Sequence, residues 1–276
     1  MPLLLPKQKG VRREANFTGR PLSGSWGTSL TSDGTAHVEP ATETELIAST
    51  TFDTDWVNVW FHNNNAGATD TDSLVNIKVG SAGNEVSIMP NLLAGWVGPL
   101  STTGVIVKQY GFPLFIPSGT RLSATHRSVR VSATVRCMVE LLGGGRSYHW
   151  TGTGVEAVGA ITAASGGTFL TPGTTSDGTL TSIGTNTQEW GFVLPMRGGN
   201  VDTTAVGGVY MCDIGSSSSV AIPGLDEFMH GEVSTETTGN WGGGRYAYVP
   251  ASTTLHLRAQ GSGTGESQDY CIYGVY

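Results

Sequence analysis

At 276 residues the chain exceeds the size of most single hydrophobic cores, so two compact units are expected. Only 13% of its residues are charged and 40 are glycine, with Ser and Thr filling most positions between the apolar ones. That excludes a helical bundle, because Gly and β-branched Thr are poor helix formers while Thr and Val suit pleated sheets. The formal net charge of −7 excludes bulk electrostatic binding of nucleic acid by the body, since polyphosphate attraction needs a basic surface.

Residues 1–22 stand outside any repeat. They join an apolar plug, Leu3, Leu4 and Leu5, to a basic stretch containing Lys7, Lys9, Arg12 and Arg13 that is too polar to order itself. Five basic residues against Glu14 give the first 20 residues a charge of +4 and leave −11 for the rest. We read this segment as an extended anchoring arm held by another subunit. Its start, "MPLLLPKQKGVRRE", lacks the apolar core of a signal peptide, so synthesis without a cleaved leader is expected. No run approaches the roughly 20 apolar residues of a membrane span.

The first unit, residues 23–146, reads as strands. "WVNVWFH" alternates Trp56, Asn58 and Trp60 on one face with Val57, Val59 and Phe61 on the other, and "SLVNIKVG" and "VRVSATVRCMVELL" alternate likewise. "MPNLLAGW" is expected to make a short helical turn. Asp53 and Asp55, followed by Asp70 and Asp72, form paired carboxylates of the kind that can ligate calcium, or that simply satisfy turn backbone. Arg121, Arg127, Arg130 and Arg136 suggest a basic strip suited to a subunit contact.

A Gly-rich stretch, residues 142–154, leads into a second unit, residues 147–276, that repeats the first. Pro117 in "FIPSGTRL" matches Pro250 in "YVPASTTL" at an offset of 133; Trp56 matches Trp190 and Cys137 matches Cys271 at 134; Gly80 matches Gly215 at 135. Four blocks in register argue for a duplicated domain. Both prolines are expected at the start of a strand, and "IPGLDEFMHG" at a second helical turn. Strands of this length and spacing, separated by polar turns, predict an all-β protein: two tandem jelly-roll-like antiparallel β-sandwich domains preceded by an extended N-terminal arm.

No enzyme constellation stands out. HExxH, GxSxG, the P-loop and an intact GxGxxG are all missing, and the six histidines show no ligand spacing. Paired carboxylates could hydrolyse glycosides, yet nothing separates such a pair from ordinary surface acids. We therefore expect a non-enzymatic protein with no cofactor. Three cysteines without CxxC spacing read as small buried hydrophobes. Trp96, Trp150 and Trp241 could stack on sugars, although tryptophan in sandwiches more often belongs to the core.

The segments "ELIASTTFDTDWVNVWFHNN", "DSLVNIKVGSAGNEVSIMPNLLAGW" and "YGFPLFIPSGTRLSA" together resemble a repeat of tailed-bacteriophage virion structural proteins of tail-fibre, minor tail or head-decoration type. The likeness runs along about 100 residues of the first unit, with the second a diverged copy. It implies synthesis in the host cytoplasm and residence in the virion. It also implies docking to capsid or tail proteins and to copies of itself, and possible contact with a host-surface glycan. A double jelly-roll major capsid protein and a carbohydrate-binding adhesin are the alternatives.

Overall fold

The computed structural model describes residues 11–17, 27–63, 73–94, 107–144, 150–159, 167–200, 209–233, 236–240, 243–261 and 268–276. Among these the structure is all β, with no helix. The first unit contains β1 (Arg12–Ala15), β2 (Thr28–Thr31), β3 (Thr44–Ile47), β4 (Thr54–Asn63), β5 (Ser73–Val79), β6 (Val86–Leu93), β7 (Val107–Phe112), β8 (Leu122–Ser128) and β9 (Thr134–Gly143). One sheet runs β1-β9-β4-β7, with β2 also on β9; the other runs β3-β8-β5-β6. The antiparallel pairs β2 with β9, β3 with β8, β4 with β7 and β5 with β6 are the nested pairs a jelly roll requires.

The second unit contains β10 (Val155–Val158), β11 (Thr168–Leu170), β12 (Thr181–Thr185), β13 (Trp190–Asn200), β14 (Val209–Gly215), β15 (Phe228–Val233), β16 (Glu236–Asn240), β17 (Arg245–Val249), β18 (Thr254–Gly261) and β19 (Gln268–Val275). Its sheets run β10-β19-β13-β17, with β11 also on β19, and β12-β18-β14-β15-β16. Strand for strand this is the wiring of the first unit, with β16 added. Duplication is therefore visible in the topology itself.

Small polar clasps recur with it. Thr50 donates Oγ1 to Pro117 O (2.7 Å) and accepts from the Thr120 amide (3.0 Å). Asn186 does both jobs in the second unit, to Pro250 O (2.9 Å) and from the Thr253 amide (2.7 Å). The repeated proline phrase is thus a clasped turn. Pro117 and Pro250 open it rather than starting a strand, because β8 and β18 begin only at Leu122 and Thr254. A left-handed residue is needed there, Gly119 (φ 83°) in one unit and Ser252 (φ 62°) in the other.

Neither expected helical turn is helical. In β6, Pro90 and Asn91 face the single residue Asn76, making a bulge in which Asn91 is left-handed (φ 55°) and its amide donates to Asn76 Oδ1 (2.8 Å). A proline followed by a left-handed asparagine cannot propagate a helix, whereas a bulge accommodates both. In the second unit, Ile222 to Leu225 forms a turn closed by the Leu225 amide on Ile222 O (3.0 Å), with Gly224 at φ 82°, and β15 follows.

Part of the segment expected as the arm, residues 1–22, is a strand. Arg12–Ala15 pairs with Glu140–Gly143 of β9, so the first sandwich begins at β1 and Arg12 and Arg13 belong to it. An unpaired strand edge can recruit even a polar segment, since backbone pairing does not depend on side-chain apolarity. Leu3, Leu4, Leu5, Lys7 and Lys9 lie outside the described residues.

Among the described residues the buried apolar side chains form two clusters, and the first of them draws on both units. Val193, Tyr270 and Ile272 face the interior of the second sandwich. Their neighbours Phe192, Leu194, Met196, Cys271, Tyr273 and Val275 face the other way and join the core of the first sandwich. Tyr273 marks the seam: its hydroxyl donates to Asn91 O (2.8 Å) and accepts from the Leu93 amide (3.0 Å), and its ring meets Tyr110 edge-on at 5.4 Å. Burial pushes the phenols of Tyr110 and Tyr273 well above the usual range. Tyr273→Phe would leave two buried β6 backbone groups without partners; we expect a loss of about 2–3 kcal/mol in urea unfolding.

Two sequence pairings change as a result. Trp56 lies on the outer face of its sheet whereas Trp190 is buried inside the second sandwich; Cys137 points into its own unit whereas Cys271 points out of its own. The Pro117/Pro250 offset of 133 matches Cys137 with Tyr270, one residue from Cys271, and a one-residue shift exchanges a strand's faces; Trp56 and Trp190 instead sit at register breaks in β4 and β13, where the alternation is interrupted.

Candidate functional site

The strict alternation of β4 puts Val57, Val59 and Phe61 fully inside and leaves Trp56, Asn58 and Trp60 half-buried on the outer face. Gln109 and Gly111 of β7 continue that face. Where it meets the second unit, a groove of about 280 Å³ opens between Trp56, Asn58, Gln109 and Gly111 on one side and Leu194, Gly243 and Gly244 on the other.

Trp56 is held from several directions. Its Nε1–H donates to Asn58 Oδ1 (2.7 Å), and Asn58 Nδ2 donates to Glu140 Oε2 (2.8 Å). Its ring lies against Gly111, where an added Cβ would come within 2.9 Å of Cζ2. Phe192 meets the indole edge-on at 6.0 Å and in turn meets Tyr246 at 5.3 Å. The alternation of β17 places Tyr246 and Tyr248 on one face, 50% and 67% exposed. The Tyr248 hydroxyl donates to Glu189 (3.2 Å), whose carboxylate raises the phenol's pKa. Gly244 allows the close approach: an added Cβ would sit 2.1 Å from Phe192 Cζ.

The described lining therefore offers aromatic surface and two carboxamides, with no charged side chain. An indole or phenol face suits the C–H face of a pyranose, and a carboxamide both donates to and accepts from vicinal hydroxyls.

Of the residues singled out in the sequence, Trp150 lies near this junction. It is 36% exposed, with its indole against Gly191, next in sequence to Phe192. Trp96 and Trp241 lie outside the described residues, as do Asp70 and Asp72. Asp53 accepts from the Ser118 amide (2.8 Å), a turn-closing role, and Asp55 sits at the bulged start of β4. Among the described residues no group of three or more His, Cys, Asp or Glu side chains is placed to hold a metal ion.

The four arginines do not form one strip. Arg121 and Arg127 belong to the β8 sheet and Arg136 to the opposite one, with Arg130 exposed in the turn between β8 and β9. Arg121 pairs with Glu45 (2.9 Å) and Glu85, Arg127 with Asn91, and Arg136 reaches Gly27 O at 3.4 Å. Partners within the chain already occupy these three cations. All three cysteines are buried and outside any disulfide, and burial pushes the Cys137 and Cys212 thiols up, out of the reactive range. No helix among the described residues is long and apolar enough to cross a membrane.

Sequence reasoning missed Tyr246, Tyr248 and Gln109, although "RYAYV" after a triple glycine carries the alternation that exposes both tyrosines.

No protein-family model matches the chain, and no curated protein matches it. Among solved structures it is similar to PNGF-II, at 10% identity and a TM-score of 0.34, covering 95% of this chain and 66% of that one. It thus spans just under two thirds of PNGF-II. It is similar also to PNGase F, a glycosylasparaginase from Flavobacterium meningosepticum, at 10% identity and a TM-score of 0.31 over 96% of both chains. A third is the CBM22-1-CBM22-2 tandem of Paenibacillus barcinonensis Xyn10C, at 11% identity and a TM-score of 0.23, over 96% of this chain and 90% of that one. Superpositions this loose assign no activity.

Proposed function

We propose that this chain is a non-enzymatic glycan-binding component of a larger assembly, and that the groove between its two sandwiches takes a neutral oligosaccharide. The observation that carries this is the convergence of Trp56, Asn58 and Gln109 from one unit with Leu194 and Gly243–Gly244 from the other, beside Phe192 and the half-exposed Tyr246 ring that packs on it. The lack of charge in the lining favours neutral sugars over sulfated or uronic ones, because an anion there would lose hydration without gaining a cation. The likeness of the first unit to tailed-phage virion repeats supplies the setting: a virion surface protein, docked through residues 1–10 and presenting the groove to a host-surface glycan.

A glycan array followed by calorimetry tests this. Trp56→Ala is expected to weaken binding of neutral oligosaccharides about thirtyfold, the effect of truncating a central aromatic anchor. Tyr246→Ala should weaken it about fivefold with little change in melting temperature, as its ring is half in solvent beside Phe192. An array with no neutral glycan bound, or binding indifferent to both substitutions, refutes the groove. A double jelly-roll capsid protein is the second reading, favoured by two sandwiches packed side by side over a common core. It requires a trimer in light scattering.

A further inference from the structure

We propose that Arg13 and Glu140 are positioning residues of the groove, fixing the Trp56 indole through Asn58, so that the pairing of β1 governs the shape of the binding face. The functional meaning rests on the glycan reading above; the relay itself can be measured without sugar.

The contacts are continuous. Arg13 Nε pairs with Glu140 Oε1, Glu140 Oε2 accepts from Asn58 Nδ2 (2.8 Å), and Asn58 Oδ1 accepts from Trp56 Nε1–H (2.7 Å). A carboxamide has one donating and one accepting end, so the bond at one end dictates what the other presents. With the Glu140 carboxylate on the amino group, the carbonyl must face Trp56. Without it the amide is free to turn over, placing donor against donor at the indole.

Glu140 suits the task because its side chain is only 15% exposed and held by a charge-assisted contact. Arg13 is 56% exposed and alone would contribute little, but it is carried by a strand paired with β9 over Arg12–Ala15. The same segment reaches the second outer tryptophan: Arg13 lies over the Phe17 ring at 5.5 Å, and Phe17 meets Trp60 edge-on at 5.9 Å. Residues 12–17 therefore brace both half-buried tryptophans of this face. A partner that docks on the preceding residues and strains β1 would alter the groove.

The test uses the full chain labelled with ¹⁵N, with the Trp56 indole N–H assigned by its disappearance in Trp56→Phe. Glu140→Ala is expected to speed exchange of that proton about tenfold, Arg13→Gln about threefold, and Glu140→Gln hardly at all, since a Gln carbonyl still accepts from Asn58. Affinity for glucose, mannose or N-acetylglucosamine hexasaccharides should fall about fivefold in Glu140→Ala and recover in Glu140→Gln. If Glu140→Ala fails to fold, Arg13→Gln, at an exposed position, gives the same reading. Indole exchange that ignores both Glu140→Ala and Arg13→Gln overturns the relay, as does a Glu140→Gln variant as impaired as Glu140→Ala. Indole exchange that responds while none of the hexasaccharides binds leaves the relay standing and removes the glycan reading.

Discussion

Asn186→Ala is expected to destabilise the chain by about 2–3 kcal/mol, from the loss of three part-buried hydrogen bonds. Asn186 is 1% exposed; its Nδ2 donates to Gln188 O (2.7 Å) and Pro250 O (2.9 Å), and its Oδ1 accepts from the Thr253 amide (2.7 Å). Alanine removes the Asn186 partner of the Thr253 amide and of Gln188 O, while Pro250 O keeps the Thr253 Oγ1 donor (2.7 Å), at a turn where Ser252 already holds a left-handed conformation. The midpoint of urea unfolding should fall with no change in slope. Asn186→Asp keeps the acceptor but sets a carboxylate oxygen against two carbonyl oxygens, so at neutral pH it should cost at least as much as alanine. Thr50→Val, which removes two such bonds in the first unit, should cost about 2 kcal/mol. An Asn186→Ala protein within about 0.5 kcal/mol of the parent would show that the turn holds itself closed.

The second large effect is an acid sensitivity that replacing His126 removes. His126 is 1% exposed on the inner face of β8, and burial lowers its pKa to about 4 against an ordinary value near 6.5. Above pH 6.5 the imidazole is neutral in both the folded and the unfolded chain. Between 6.5 and 4 the unfolded chain takes up a proton that the folded one refuses, so stability falls with pH by about 3 kcal/mol in total. Asp269 works in the opposite direction. Burial raises its carboxyl to about 6 despite the nearby Lys108, so the ionised form penalises the fold above that pH and the penalty disappears on acidification towards 4. Discounted for its partial exposure, that amounts to about 1–2 kcal/mol.

The parent protein therefore shows a shallow pH dependence that conceals two steeper ones. His126→Leu should flatten or reverse it between pH 6.5 and 4, and Asp269→Asn should expose the full His126 slope. Urea midpoints at half-unit pH steps measure both, and carboxylates held low by partners, such as Glu39 and Glu85, cancel in the comparison. Parallel curves for the parent and His126→Leu would mean that the imidazole is hydrated in the folded state.

Much of the architecture is legible in the sequence because alternation and spacing survive divergence. Val57, Val59 and Phe61 announce the inner face of β4, and the proline phrases announce a repeated turn. The facing of β13 and β19 is not legible, because matching Cys137 with Cys271 sets β19 one residue off and period-two strands turn over with a single shift, while a register break beside Trp190 interrupts the alternation of β13. The clasps are hidden for another reason: Thr50 and Asn186 share a task through different chemistry, so identity gives no signal. The strand β1 is hidden by composition, because Arg-Arg-Glu-Ala reads as solvated chain and only an open edge on β9 makes it a strand. The groove combines residues almost 190 positions apart, Trp56 with Gly243 and Gly244, and no local pattern joins them.

The seam at Tyr273 also bears on the order in which the chain can fold during synthesis. The first sandwich is translated before the strands that supply Phe192, Leu194, Met196, Cys271 and Tyr273 to its core. A nascent chain emerging up to β9 carries β6 and β7 with apolar surface still uncovered. It must stay partly open, or be shielded by a chaperone, until β13 and β19 arrive. Duplication here has produced one cooperative folding unit whose first half is finished by its second.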